Sequence, residues 1–311
     1  MSHLDFVSLE PFLRTICTLL KPSTRPKSTG MSPHIEERPF VSHYIVSYNE
    51  DEQERLDAQN RYFTQVLCEG QLIVPKISLD PGDEILESAT GTGIWLLNVA
   101  HKVHPSVSLT GIDISQRLFP TQHPQNVTFA VHTVTNLPKS WSNKFKLVNQ
   151  RLLCGALTSE QWGVALGELY RVLKPGGWIQ LLETGPETTV CGGPIKRFID
   201  AYAAVYVNKG LVSDLNETLD QRLENAGFVN IQKRTTALPR LDSQDLDLEF
   251  QGQKRLWMAV IPVLKPAFLA TGMFESEDEI EALGKGIDQE WHTPSQYSWH
   301  WTVAYAQKPQ I

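Results

Sequence analysis

Residues 84–95 read EILESATGTGIW, and this stretch restricts the fold more than any other. An apolar run leads to an acid, Glu87; a turn follows with glycines at 91 and 93; an apolar helical pattern, GIWLLNVAHKV, begins at once. A strand passing directly into a helix through a tight turn is the opening half of a βαβ unit. Glycine serves such a turn twice, because the chain bends sharply and its backbone approaches a ligand with no Cβ in the way. The amides that start the helix then face the same place. Ala89 stands where a further glycine would be expected. Its methyl is the smallest possible addition and is tolerable if φ there is negative.

The form of the turn narrows the ligand. A nicotinamide fold asks for G-x-G-x-x-G, but counting from Gly91 the last position is Leu96, after a bulky Trp95. That pair disfavours the close helix–strand packing of the nicotinamide turn. A phosphate loop asks for Gly-Lys-Ser/Thr, which this turn lacks. What remains is Glu87, Ala89, Gly91 and Gly93. A second acid, Asp113, ends the next apolar run in LTGIDIS, where a carboxylate can accept hydrogen bonds from both hydroxyls of a ribose.

From residue 82 onward strands and helices alternate. Strands are expected at EILE, VSLTGID, VTFAVH, FKLVNQ and WIQLLE. A helix is expected over TSEQWGVALGELYRVL, opened by a capping box from Thr158 to Gln161 and closed by KPGG. Short apolar strands alternating with helices mean a parallel sheet covered on both faces. Before the core a helix is expected at about 50–69, with acids crowding its first turn. After Glu183, helices are expected at 194–208 and 214–226, then strands at VNIQKR and at the alternating YSWHWTVAYAQ. Between those strands, about residues 237–295, lies a helical insertion. In it Ser276 and Glu279 have capping-box spacing, and WMAVIPVLKPAFL is expected to be broken by Pro262 and Pro266. Its aromatics suit a lid or cap over a flat or apolar substrate, and a dimerisation element is the competing reading.

Composition sets the outer limits. The chain has 311 residues, 41% hydrophobic and 20% charged, enough for one large soluble domain with appendages. Its net charge of −7 argues against a nucleic-acid partner, which asks for a basic face. Cys17, Cys68, Cys154 and Cys191 form no CxxC pair and read as reduced thiols of a cytoplasmic or nuclear protein. No secretory signal and no run of the ~18 apolar residues that a membrane span needs is present, so no membrane is expected. Residues 1–40 read as an amphipathic helix followed by a Pro- and Ser-rich linker arm, and 41–311 as the main domain. A homodimer through the N-terminal helix or the insertion is an open expectation.

Taken together, ILESATGTGIW, GIDIS, FKLVNQRLL and ELYRVLKPGGWIQLLE resemble the class I S-adenosylmethionine-dependent methyltransferases. NEDEQERLDAQN ahead of the core and AYAQKP after it make the chain similar to the fungal LaeA-like (UMTA-type) branch, many of whose members serve secondary metabolism. The resemblance covers about residues 44–308. It implies a Rossmann-like, seven-stranded, mostly parallel sheet with the last strand antiparallel, and S-adenosylmethionine over the strand tips, leaving as S-adenosylhomocysteine. By position, it implies that Ala89, Gly91 and Gly93 pack against the methionine part and that Glu87 orients the loop or meets the amino group through water. It further implies Asp113 on the ribose and Ile114 beside the adenine. His132 and Thr133 stand where many relatives have an adenine-binding Asp, a departure from the family pattern. Asn149, Gln150 and Arg151 fall near the methionine tail and the transferred methyl, and Arg55 and Gln59 fold over the cofactor.

Methyl transfer from a sulfonium is an in-line displacement in which placement does most of the work, so it does not demand a base. The acceptor is expected to be a small molecule methylated at N, O or S. Glu183, ending the fifth strand at the rim, is placed to hold a polar group of the substrate or to act as a base. His300, between two tryptophans, is the second catalytic candidate, with structural packing as its competitor. His101 and His104 have no companion ligands, and no metal is expected. Two further readings fit the same residues: a regulatory protein using the cofactor fold as a platform, and an enzyme that binds the cofactor for a step other than methylation.

Overall fold

The computed structural model describes residues 52–190, 192–292 and 297–310. The expected N-terminal helix and linker arm lie outside the described residues, as do Cys17 and Cys191. Seven strands form one sheet: β1 (Glu84–Ser88), β2 (Ser108–Asp113), β3 (Val127–Val131), β4 (Phe145–Arg151), β5 (Leu173–Val190), β6 (Val229–Leu238) and β7 (Tyr297–Gln307), in the order β3-β2-β1-β4-β5-β7-β6. The first five pair in parallel, and β7 runs antiparallel between β5 and β6. Among the described residues the helices are α1 (Glu52–Val66), α2 (Ile94–Ala100), α3 (Ser159–Val172), α4 (Gly193–Lys209), α5 (Leu215–Asn225), α6 (Leu246–Leu269) and α7 (Glu277–Glu290).

Strand alternation sorts side chains between the two faces. Ile85 of β1 and Leu147 of β4 pack with Trp95, Leu96 and Val99 from the α2 side. Leu86 and Val148, the next residue on each strand, pack with Trp162 and Leu166 of α3 and Leu219 of α5. Further along the sheet, Leu182, Trp299, Trp301 and Val303 meet α1, α4, α6 and α7. Each helix is short of stability alone and stays helical because its apolar stripe is buried on the sheet.

The capping box at Thr158 is formed: its hydroxyl accepts from Gln161 N, and the Gln161 side chain accepts from Thr158 N at 2.9 Å. At α7 only half of the expected box forms. Ser276 Oγ accepts from Glu279 N, but the Glu279 carboxylate takes the N–H of Glu275 instead.

The structure corrects three local expectations. WMAVIPVLKPAFL is not broken: α6 runs through both Pro262 and Pro266. The prolines are four residues apart and both exposed, so the cost falls on the outer side while Trp257, Ile261, Leu264 and Phe268 stay buried on the inner one. The helix after the glycine turn is only seven residues long. And β5 does not end at Glu183 but continues to Val190, because β7 pairs along it as far as Tyr297.

Candidate cofactor site

The turn after β1 has three residues with positive φ: Ala89 at 53°, Gly91 at 54° and Gly93 at 72°. The negative φ under which an alanine is tolerated without strain is therefore not met at Ala89. The alanine takes up the left-handed conformation that a glycine would adopt freely, at a cost of about 1–2 kcal/mol. It is held there because Thr90 N donates to Ile112 O at 2.9 Å and Gly93 N to Thr90 O at 2.8 Å. At Gly93 a Cβ would come within 2.6 Å of the Phe129 ring on β3, so both conformation and space demand glycine. At Gly91 the backbone N–H donates to Asp113 Oδ2 at 3.0 Å, which ties the turn to the tip of β2.

Asp113 also accepts the N–H of Ser115 at 3.2 Å. Burial raises its pKa, against the pull of the N–H groups of Gly91, Ser115 and Ile114. A carboxylate offers about four acceptor positions, so it keeps capacity for further donors. Ile114 beside it is 39% exposed. His132 N donates to Asp113 O at 2.9 Å, and its ring stands edge-on to Trp141 at 5.3 Å. Thr133 bonds the hydroxyl of Thr135 at 2.8 Å. The chain thus gathers Ile114, His132 and Thr133 around the tips of β2 and β3. Trp141 joins them unforeseen, its only signal being an aromatic in the polar loop KSWSN.

On the α2 side, a row of polar side chains crosses the sheet in register. Glu87, Asn149 and Gln180 are direct neighbours on β1, β4 and β5. Asn149 Nδ2 donates to Glu87 Oε1 at 3.1 Å, and Gln180 Nε2 donates to Asn149 Oδ1 at 2.8 Å. Gln180 also takes Val74 N and donates to Leu72 O, both at 2.9 Å. Gln180 was not anticipated; its signal was a polar residue inside the apolar run WIQLLE. Glu87 is 5% exposed and accepts from Thr90 Oγ1 at 2.5 Å. Burial pushes its carboxyl up to about 7, opposed by Thr90, Arg151 and Asn149.

Arg151 ends β4 on the same face as Asn149. Its Nη1 donates to Asn60 Oδ1 of α1 at 2.8 Å, and its guanidinium lies 5.8 Å from the Trp95 ring. Its Nη2 is buried with no hydrogen-bond partner. Gln150 does not join this group. Alternation turns it to the α3 face, opposite Ser88 in register. Its amide makes no well-formed hydrogen bond there, although it lies beside Glu183.

Helix α1 closes over the turn. Asp57 accepts from Thr92 Oγ1 at 2.7 Å, Asn60 meets Arg151, and Leu56 lies 3.5 Å from where a Cβ on Gly91 would stand. Arg55 is bonded bidentately to Glu52 and reaches Gln59 at 3.5 Å.

The two catalytic candidates sit elsewhere. Glu183 is 0% exposed, in mid-strand rather than at a rim, and its oxygens accept Leu153 N at 3.2 Å and Cys154 N at 2.9 Å. Burial pushes it up to about 8 despite those bonds. His300 lies on β7; its carbonyl accepts from Thr184 Oγ1 at 2.6 Å and Asn216 Nδ2 at 3.3 Å, and burial lowers the pKa of its ring. No described hydrogen bond joins it to the turn after β1. Among the described residues, no three His, Cys, Asp or Glu side chains group as metal ligands.

The donor set fits S-adenosylmethionine. Asp113 keeps acceptor capacity for hydroxyls, Arg151 has an unused buried N–H donor for a carboxylate, and the left-handed turn carries no Cβ at Gly91 and Gly93. Residues 85–177 match the methyltransferase domain family model. The chain is 38% identical over 144 residues to the N-methyltransferase sirN of Leptosphaeria maculans, covering 46% of this chain and 50% of that protein. It is 32% identical over 194 residues to verN, an N-methyltransferase of Clonostachys rogersoniana, covering 60% of this chain and 66% of that one. With the N-methyltransferase tcpN of Claviceps purpurea it shares 26% identity over 272 residues, covering 84% and 96%. In fold it is similar to Haemonchus contortus phosphoethanolamine N-methyltransferase 2 in complex with S-adenosyl-L-methionine, with a TM-score of 0.53 at 16% identity, covering 88% of this chain and 61% of that one. Residues 85–177 thus carry a methyltransferase domain, and the chain spans half the length of the first of these fungal relatives and 66% of the second.

Proposed function

We propose that this protein transfers a methyl group from S-adenosylmethionine to a nitrogen of a small secondary-metabolite acceptor. The observation that carries the reading is the joining of the glycine turn to Asp113 through Gly91 N, with the unused Arg151 donor at the neighbouring strand tip. Preference for nitrogen among the N, O and S of the sequence reading follows the relatives named as N-methyltransferases. The cofactor supplies an activated methyl on a sulfonium sulfur. The chain supplies placement. Asp113 receives the ribose hydroxyls, Ile114 and the His132–Trp141 pair flank the adenine, Arg151 receives the carboxylate, and Glu87, fixed by Thr90 and Asn149, faces the amino group. Such positioning is worth several powers of ten in an in-line displacement. Neither Glu183 nor His300 is assigned to the reacting atoms. The insertion that carries α6 and α7 is read as a cap on the acceptor side. Membership of the LaeA-like branch is part of the same reading. The two described cysteines, Cys68 and Cys154, are buried and unbridged, which supports a reducing cell interior. No helix among the described residues is long and apolar enough to cross a membrane.

Calorimetry with S-adenosylmethionine and S-adenosylhomocysteine tests the cofactor, and incubation of methyl-labelled cofactor with a producing-cell extract tests the transfer. Label moving to a small organic fraction is expected; label remaining on the cofactor would count against methylation. Asp113→Ala should weaken cofactor binding by about 1–3 kcal/mol through the lost ribose hydrogen bonds, and an unchanged affinity would place the ribose elsewhere.

A further inference from the structure

The turn that follows β4 is held in a conformation its own residues do not favour. Leu152 has φ 59°, in a region that an L-residue occupies only when its surroundings hold it there. Its N–H donates to Leu182 O at 2.9 Å. The next two N–H groups, of Leu153 and Cys154, both donate to one carboxyl, that of Glu183. This is a fully buried carboxyl on a neighbouring strand, and it fixes the residues directly after Arg151. It is also enclosed. The Cys154 thiol lies beside both Glu183 and the Tyr206 hydroxyl, which meets the Tyr202 hydroxyl at 3.2 Å. A carboxyl so placed presents nothing to a substrate, and its hydrogen bonds act on the backbone. On the other side of the turn, Arg151 has one nitrogen anchored on Asn60 and another buried without a partner.

We propose that Glu183 is a positioning residue: by bridging the N–H groups of Leu153 and Cys154 it holds the left-handed turn at Leu152 and so aims Arg151 at the carboxylate of the bound cofactor. The proposal rests on the reading of Arg151 as the carboxylate partner, and the test separates the two.

Glu183→Gln keeps the size of the side chain but turns an NH2 group toward one of the two N–H donors. The full-length chain is titrated calorimetrically with S-adenosylmethionine and with decarboxylated S-adenosylmethionine, which keeps the adenosine, sulfonium and amine. The native protein should prefer the first ligand. In Glu183→Gln its affinity should fall about tenfold or more, as for loss of a charged hydrogen bond, while the decarboxylated ligand binds within about twofold of native. In Arg151→Met the preference should be gone, and adding Glu183→Gln should change neither affinity further. Equal loss for both ligands in Glu183→Gln, or no loss for either, overturns the proposal alone. Absence of any preference in the native protein overturns the Arg151 reading and the proposal with it. Should Glu183→Gln not fold, Glu183→Asp, whose shorter side chain draws the carboxyl back from both N–H groups, is measured against the same outcomes.

Discussion

At the scale of single residues, the turn after β1 joins one departure from the family pattern to one strict requirement. Ala89 at φ 53° carries a Cβ where none is wanted, whereas Gly93 cannot accept one at all. Ala89→Gly should therefore raise stability in urea unfolding by up to about 1 kcal/mol, the relief of left-handed strain being partly offset by a looser unfolded chain. A lower stability would mean the methyl is making contacts that outweigh the strain. Gly93→Ala should cost several times as much, about 2–3 kcal/mol, because Phe129 has to move as well. Residue type and spacing alone pointed to Glu87, Gly91, Gly93 and Asp113, since turns and strand tips write themselves locally. Facing does not. Asn149, Gln150 and Arg151 are consecutive, so alternation sets the middle one apart, but only the register of β4 against β1 and β5 shows which side faces the turn. Gln180 and Trp141 became visible for the same reason, through cross-strand and loop contacts that no local pattern encodes.

At the scale of elements, α1 decides how the turn is covered. Its C-terminal half is anchored in the core by Phe63 and Val66, while its first half over the turn is tied down by Asp57 to Thr92 and by Asn60 to Arg151, and the Tyr62 hydroxyl donates to Glu249 O of α6 at 2.9 Å. A helix end held by a few polar contacts opens more readily than one held by a core. Asp57→Ala should thus speed cofactor release and weaken binding by about 1 kcal/mol, measurable by stopped-flow displacement, with global stability nearly unchanged. A large loss of stability with normal release would show that the contact is structural instead. The helices were legible wherever their stripe was apolar; α6 was misread because a proline's local cost is visible in a sequence, while the burial of Trp257, Ile261, Leu264 and Phe268 that outweighs it is not.

At the scale of the whole molecule, two carboxyls buried in the sheet make stability depend on pH in an unusual direction. Glu87 and Glu183 are raised from 4.5 to about 7 and about 8. An acid with a raised pKa binds its proton more tightly folded than unfolded. Its contribution is complete below the unfolded pKa and is lost as pH rises through the folded one. The ligand-free protein should therefore lose roughly 3 kcal/mol between pH 4.5 and 7 on account of Glu87 alone. Urea unfolding across this range should show the decline, and Glu87→Gln should remove about half of it, the rest belonging to Glu183; a native profile that rises instead would mean that these carboxyls are ionised in the fold. The sheet order has its own consequence. β7 lies between β5 and β6, and it is the last of the seven strands in the chain. During synthesis β6 leaves the ribosome with no neighbour to pair with, and β5 waits with one edge bare. Only when residues 297–307 emerge can one strand close both gaps at once. Until then the nascent chain presents two open strand edges to whatever else is being made nearby, and a pause in translation shortly before that point is when it is most exposed to mispairing.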